Sequence, residues 1–572
     1  RAATKLRRVP AAGRALGFVD VAAPAAPAAP VEFVASVAVS EADRSSRSSG
    51  REQGQASSSS SSHNLRGKLS AWVSPGSAVY ANPICSQLDQ MLLKCDEFED
   101  ILTLLVTHRG VFFVHNLVTA IQVLGSLAQD LKNPIAVNEL LRDPRYDVLI
   151  RDLLRFVSKL DFLAMTNVAC SLWHLDHKHY TLLTRMLRPL LLQPVPDVTT
   201  VLRCAQAYAW AGYTTQHQFY AHCAAVLADA APTLPLEQLL ESCVLFGGVT
   251  QYNANYFAAA ESAFLDRGLI RSNALHPQEL GAVATAFATH LSTQHDNLFA
   301  AVALTVEQTA DSMEVAAIAQ CLGAFRKVAL RFDGAVIAGL AACILPLRRA
   351  WLLRRHAEGV RTADVATLLE CAAYFGIHTE LTQHALDYLD DLVDEVGERA
   401  AINIVFAMCA TGASGTHSRL LKFLLRKVGA GTAWEAQRLR VFHIWVCQLL
   451  QFPWLDVRLP RRCINAGLRA WCLHRRGYGS PFPDEVRAIS AELEEMGVTH
   501  RTFVPVSDSP YEVDIAIGGE KDALLVISEA ARNTLEPAGS TLLQIRHLRA
   551  RGWRPVVIPR RIWLELAAGP VE

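Results

Sequence analysis

The chain has 572 residues, 55 Lys+Arg against 55 Asp+Glu, and 51 % hydrophobic against 19 % charged residues. That length exceeds a single core, and that apolar share excludes a mainly disordered chain, so about two to four packing units are expected. The neutral total says nothing about partners, because the charge is unevenly distributed along the sequence.

Residues 1–64 differ in kind from the rest. Arg1, Lys5, Arg7, Arg8 and Arg14 precede the first acid, Asp20. An Arg- and Ala-rich, acid-poor start is the profile of an organellar transit peptide. The Pro/Ala run "APAAPAAP" and the Ser-rich "SSRSSGREQGQASSSSSSHN" follow; neither can build a core, so no secondary structure of their own is expected.

From residue 65 to 431 the apolar pattern has the helical period, and it recurs. "TNVACSLWHLDH", "TVLRCAQAYAWAGY", "QLLESCVLFGGV", "LGAVATAFATH", "AIAQCLGAFRKV", "TLLECAAYFGIH" and "INIVFAMCATG" each place a small residue three or four positions before an aromatic or Met. An earlier copy, "HNLVTAIQVLGSLA", opens the array. With Cys170, Cys204, Cys243, Ala284, Cys321, Cys371 and Val405 as markers, the spacings are 34, 39, 41, 37, 50 and 34. A period in this range, filled by two amphipathic helices, predicts an α-solenoid of helical hairpins, with an irregular bundle as the alternative. Trp173, Phe246, Phe287 and Phe325 should then occupy equivalent positions between helices. The long interval carries Arg348, Arg349, Arg354, Arg355 and Arg361, either facing a partner or lying on a solvated helix face. The apolar run over residues 335–347 is broken by Pro346 and is too short to span a bilayer, so it reads as a buried helix and no membrane partner is expected.

The thirteen cysteines include no Cys-x-x-Cys pair, and most lie in apolar helical patterns. They read as small buried thiols in a reducing compartment; no metal and no cofactor is expected.

Residues 432–500 form a basic helical connector. Between Arg419 and Arg476 stand twelve Lys/Arg and only two acids, Glu435 and Asp456. "SPFPDEVRAISAELEEMGV" predicts a helix with Val486, Ile489, Leu493 and Met496 inward. Residues 501–572 change class to α/β. Val513, Ile515 and Ile517 alternate as a strand, Gly518–Gly519 turns, and residues 523–527 form an apolar strand. A helix with Leu542, Ile545 and Leu548 inward stops at Gly552, before the buried strand "PVVIP".

The stretches "PYEVDIAI", "LLVISE" and "GSTLLQIRHLRARGWRPVVIPRRIW" together resemble the RAP domain. Upstream, the repeats more loosely resemble the helical region of FAST-kinase-type proteins. The resemblance implies organellar RNA binding and a core similar to restriction-type endonucleases. It carries no kinase activity over, since the sequence has no Gly-rich phosphate loop or catalytic Asp motif. A nuclease of that fold needs an acid on one strand and Glu-x-Lys on the next, to hold a divalent metal and activate water. Asp514 and Glu529 match, but the lysine position is Ala531, so no catalytic residue is assigned. The RNA-binding set is Arg546, Arg549, Arg551, Trp553, Arg554, Arg560 and Arg561, extended by Arg461, Arg462, Arg475 and Arg476. Arginine offers a bidentate fork to phosphate and a plane for base stacking. Trp553 and Trp563, flanking a strand, read as core or as base platforms.

The expectation is a mitochondrial matrix protein, with the plastid as the alternative compartment. It binds RNA, mitochondrial rRNA above all, beside ribosomal or other ribonucleoprotein proteins, and takes no small-molecule substrate. An RNA-processing endonuclease and a protein-binding scaffold are the competing functions.

Overall fold

A computed structural model describes residues 83–272, 274–290, 295–352, 360–377, 380–413, 415–474, 480–519, 521–528 and 530–567. The transit-like and Ser-rich tail lies outside the described residues, as do Arg354, Arg355, Arg475, Arg476 and Glu529.

The chain is mainly helical, with a small four-stranded sheet near its C-terminus. It opens with α1 (Pro83–Leu92), α2 (Phe98–Thr107), α3 (Val114–Leu131), α4 (Pro134–Arg142) and α5 (Pro144–Phe156). Helices then come in pairs: α6 (Phe162–His174) with α7 (Tyr180–Leu192), α8 (Val198–Trp210) with α9 (His217–Ala230), and α10 (Leu236–Gly248) with α11 (Ala254–Asp266). These are followed by α12 (Pro277–Thr289) with α13 (Asp296–Thr309), and α14 (Val315–Lys327) with α15 (Asp333–Leu352). Next come α16 (Thr362–Phe375) with α17 (Glu380–Asp391), and α18 (Glu398–Thr411) with α19 (Ser418–Ala430). A last helical pair, α20 (Arg438–Leu450) and α21 (Arg461–His474), is followed by α22 (Pro483–Glu495).

The starts of these helices are written locally. Asp161 and Asp197 are N-caps whose carboxylates accept the N–H of Ala164 (2.7 Å) and Thr200 (2.8 Å), donors that have no partner inside the helix. Packing then sorts the helices into two rows. In the first, α3 packs on α6, α6 on α8, and so on through α20; in the second, α5 packs on α7 and the series runs through α19.

All seven marker residues lie on first-row helices and are buried. Small residues allow the close approach between first-row neighbours. A Cβ on Gly125 of α3 would sit 2.9 Å from the Ser171 Cα of α6, and one on Gly247 of α10 would sit 2.7 Å from the Ala286 Cα of α12. Phe246, Phe287 and Phe325 are fully buried between helices, whereas Trp173 is only half-buried. Trp173 thus packs against the helical core but is less covered than the three phenylalanines.

Successive repeats are tied by a recurring polar cap. Gln193 donates to the Leu160 carbonyl (2.7 Å), Arg267 to Leu234 (2.8 Å), Lys427 to Asp394 (2.9 Å) and Arg462 to Gly429 (2.8 Å), each across 33 residues. Each donor satisfies a carbonyl that the preceding repeat leaves open.

Helix α15 is longer than the apolar run implied. It continues through Pro346, Arg348 and Arg349 to 20 residues, long and apolar enough to cross a membrane by length and composition alone. Here it packs between α13 and α17, burying Val336, Leu340, Cys343 and Leu347 on one stripe.

The C-terminal sheet is formed by β1 (His500–Pro505), β2 (Glu512–Ile517), β3 (Asp522–Ile527) and β4 (Arg554–Pro559), in that order. The pairs β1–β2 and β2–β3 are antiparallel, and β3–β4 is parallel, joined through α23 (Ser540–Arg549). A final helix, α24 (Arg560–Ala567), follows β4 directly. Two readings of this module are corrected. A strand, β1, precedes the expected first one; its mixed, half-exposed side chains give no clean alternation. "PVVIP" is an edge strand, with Val556 57 % exposed, instead of a buried one. Pro555 and Pro559 have no N–H to offer a further strand, which suits an edge.

Both faces of the sheet are covered. One meets α22 through Val486, Ile489, Ile515 and Val526, with Trp563 beside them, while Met496 lies just past the helix and is exposed. The other meets α23 and the helical region through Val513, Leu525, Ile545, Leu548, Phe442 and Trp471. Leu543 joins the core of the helical rows, so α23 is buried on two sides; Leu542, expected inward, is half-buried against Gly376.

Candidate nucleic-acid interface

The sheet module is docked on the carbonyl ends of three successive first-row helices. The Arg532 N–H donates to the Ala329 carbonyl (2.7 Å) and its guanidinium to Val328 (3.3 Å), just past α14. The Gly539 N–H donates to Tyr374 near the end of α16 (2.8 Å). Arg546 donates to the Ala410 (2.6 Å) and Cys409 carbonyls at the end of α18. Helix C-termini carry partial negative charge and unpaired carbonyls, so two arginines and an amide suit them. Arg532 also reaches the Asp296 carboxylate (2.5 Å), at the start of α13.

This seam redistributes the arginines that the sequence placed together. Arg546 faces the seam and not the solvent. Arg462 caps the end of α19 through Gly429. Arg551 donates to the Asp508 carbonyl (3.1 Å), pinning the β1–β2 turn. Three of these arginines meet acids, two of which, Asp522 and Glu485, are distant in sequence. Arg554 pairs with Asp522 (2.6 Å), Arg560 with Glu485 (2.5 Å) while lying over the Phe482 ring, and Arg561 with Glu565 (2.8 Å). Trp553 and Trp563 are each half-buried against the cores on opposite faces of the sheet.

Arg549 and Arg461 remain exposed and without a partner among the described residues. The structure adds Arg419 on α19, Arg438 on α20 and Arg469 on α21, all likewise exposed and unpaired, whereas Arg426 on α19 is exposed but close to Asp456. The uneven charge between Arg419 and Arg476 was the sequence signal for these. It could not separate them from Arg462, or from Lys422, which pairs with Asp456 (2.8 Å).

Asp514 lines a small cavity of about 50 Å³, together with His443, His474, Ser528, Thr541 and Gln544 among others. Asp514 is buried, and its Oδ2 accepts the Val526 N–H (2.7 Å), joining β2 to β3 where their ladder ends. Ala531, where such a nuclease carries lysine, is fully buried. Both ring nitrogens of His443 lack a hydrogen-bond partner. Burial, then the neighbouring His547 and His474, lowers its pKa to about 3, so the ring is neutral near pH 7.

Among the described residues no group of three or more His, Cys, Asp or Glu is placed to hold a metal ion. All thirteen cysteines are free thiols, and eleven are buried. Compared with protein-family models and with curated proteins, the sequence matches none.

Proposed function

We propose that this chain is a non-catalytic RNA-binding protein of the mitochondrial matrix, with the plastid as the alternative compartment. In this reading its paired helices form an α-solenoid and its C-terminal module is a RAP-like, restriction-endonuclease-like fold. The two-row packing and the 33-residue caps support the solenoid. The β3–α23–β4 crossover next to an antiparallel pair supports the module.

The observation that carries RNA binding is the set of exposed, unpaired cations Arg419, Arg438, Arg461, Arg469 and Arg549 in a chain of zero net charge. Phosphate is the anion for which unpaired guanidinium groups are suited, and the ligand is RNA, mitochondrial rRNA in particular, within a ribonucleoprotein. Arg461→Ala/Arg549→Ala should weaken binding of a labelled RNA across sequences and flatten its log–log salt slope by about 0.7 per lost contact. An unchanged slope refutes these two contacts. Affinity for a protein partner that ignores salt, with no RNA binding by the wild type, refutes the RNA reading and favours a scaffold.

A further inference from the structure

A second basic cluster lies on the first row, away from the arginines singled out in the sequence. It centres on Glu370 of α16, which is 3 % exposed. Its Oε1 pairs with Arg326 of α14 (2.9 Å) and with Arg440 of α20, and its Oε2 accepts from Asn403 of α18 (3.0 Å). Asn403 in turn accepts from Arg440. Four consecutive first-row helices therefore each contribute one polar side chain to a single network.

The network is not neutral. Two arginines face one carboxylate, and Lys327 and Arg399 stand beside them, both exposed and neither in an ion pair of its own among the described residues. Partial desolvation, then the like charges of Arg326 and Arg399, lowers the Lys327 pKa below the ordinary lysine value; Glu370 opposes this only in part. Four cations are thus crowded about one acid, and among the described residues no second acid pairs with them. Glu370 orients Arg326 and Arg440 while leaving each partly open to solvent, at 20 % and 28 % side-chain exposure.

We propose that this patch, built by Arg326, Lys327, Arg399 and Arg440, grips the phosphate backbone of single-stranded RNA. The proposal rests on the RNA-binding reading above and adds a second, separate contact surface to it. Arg326 and Arg440 meet on one Glu370 oxygen, and Lys327 and Arg399 stand close to them, so the cations of four helices gather into one compact positive patch. The closely spaced phosphates of one strand supply the counter-charge that such a patch lacks. It also abuts the docked module, because Lys327 immediately precedes Val328, whose carbonyl receives Arg532. Guanidinium planes braced by Glu370 would meet phosphate without first losing rotational freedom.

The test is a salt titration of the affinity of the full chain for a labelled single-stranded RNA homopolymer. Wild type is compared with Lys327→Ala/Arg399→Ala and with Arg461→Ala/Arg549→Ala. Lys327 and Arg399 are exposed and unpaired, so the first double variant should keep the thermal midpoint of wild type. It should lower the salt slope by about 1.4, two contacts at about 0.7 each. A charge reversal, Lys327→Glu/Arg399→Glu, should weaken binding further. If wild type binds and only the Arg461/Arg549 variant loses slope, this surface is refuted while the RNA reading stands. If wild type binds no RNA, both fail. If wild type binds polyglutamate as tightly as RNA, with the same loss in the Lys327/Arg399 variant, the partner is an acidic protein and the proposal is overturned.

Discussion

Arg546 provides the sharpest test of how the module is held. Replacing it with Met keeps most of the aliphatic volume and removes the guanidinium that serves the Ala410 and Cys409 carbonyls. Hydrogen bonds from charged donors contribute about 1.5–3 kcal/mol each, and a cation at a partly buried helix C-terminus up to about 2 kcal/mol. These overlap because they describe the same contact, so the expected loss is about 3 kcal/mol. That is a large share of the roughly 5–15 kcal/mol typical of a folded domain. The loss should fall first on docking, since Gly539 and Arg532 still hold two other helix ends. Hydrogen exchange of α23 should therefore accelerate while α6 to α12 stay protected, and the urea midpoint should shift downward. Arg546→Lys should recover part of the loss, because an ammonium reaches one carbonyl but lacks the fork to serve both. Unchanged exchange in Arg546→Met, together with a reduced salt slope for RNA, would refute the docking role and return this side chain to the RNA surface.

Glu370→Gln should cost about 2 kcal/mol in urea unfolding, less than the roughly 3–5 kcal/mol of a fully buried pair, because Arg326 and Arg440 keep solvent access; no change would show that the network is not coupled to folding. Gly247→Leu should lower the thermal midpoint by an amount equivalent to about 1–3 kcal/mol of overpacking, whereas Gly110→Ala, in open space, should not. His443 and His547 are held down to pKa values of about 3 and about 4, by burial first. The unfolded chain binds protons that the folded chain refuses, so stability should fall as pH drops from about 6.5 toward 4, by about 1.4 kcal/mol per pH unit per histidine. His443→Leu should remove its share, about 1.4 kcal/mol per pH unit, from that slope, and an unchanged slope between pH 7 and pH 5 would refute it.

The helical array was legible because its signal repeats. Seven small residues in apolar patterns marked seven first-row helices, and Cys170 through Val405 are all buried as their pattern implies. Trp173 shares its spacing of three from the marker with the buried Phe246 and Phe287, so nothing in the pattern marks it as the less covered one. The strand β1 was missed because "HRTFVP" has neither alternation nor an apolar run. Helix α23 was read as one-sided because an amphipathic pattern shows the larger apolar stripe; Leu543 lies on the second buried side and looks like a lapse in the pattern. The candidate site was legible only as composition. Which arginines meet carbonyls and which meet water depends on contacts across 136 residues for Arg546–Ala410 and 204 for Arg532–Val328, distances no local pattern records.

That failure has a chemical cause. A guanidinium seeks oxygen with excess negative charge, and a helix C-terminus and a phosphate both supply it. A sequence rich in unpaired arginine therefore announces demand for such oxygens without saying whether they are internal. In this fold the internal demand is met first: Arg267, Arg462, Arg532 and Arg546 all reach backbone carbonyls at repeat or helix ends. Acids then take Arg554, Arg560 and Arg561. Exposed cations remain on α14, α18 to α21 and α23, in the half of the chain on which the sheet module sits, and others such as Arg185 and Arg188 remain on α7. Because the module is fixed to α14, α16 and α18 by separate bonds, a polyanion bound to the first-row face would meet a surface whose geometry is set before binding. Little ordering of the protein would then oppose association. A protein whose module swung freely would have to order that joint on binding, and would lose affinity accordingly.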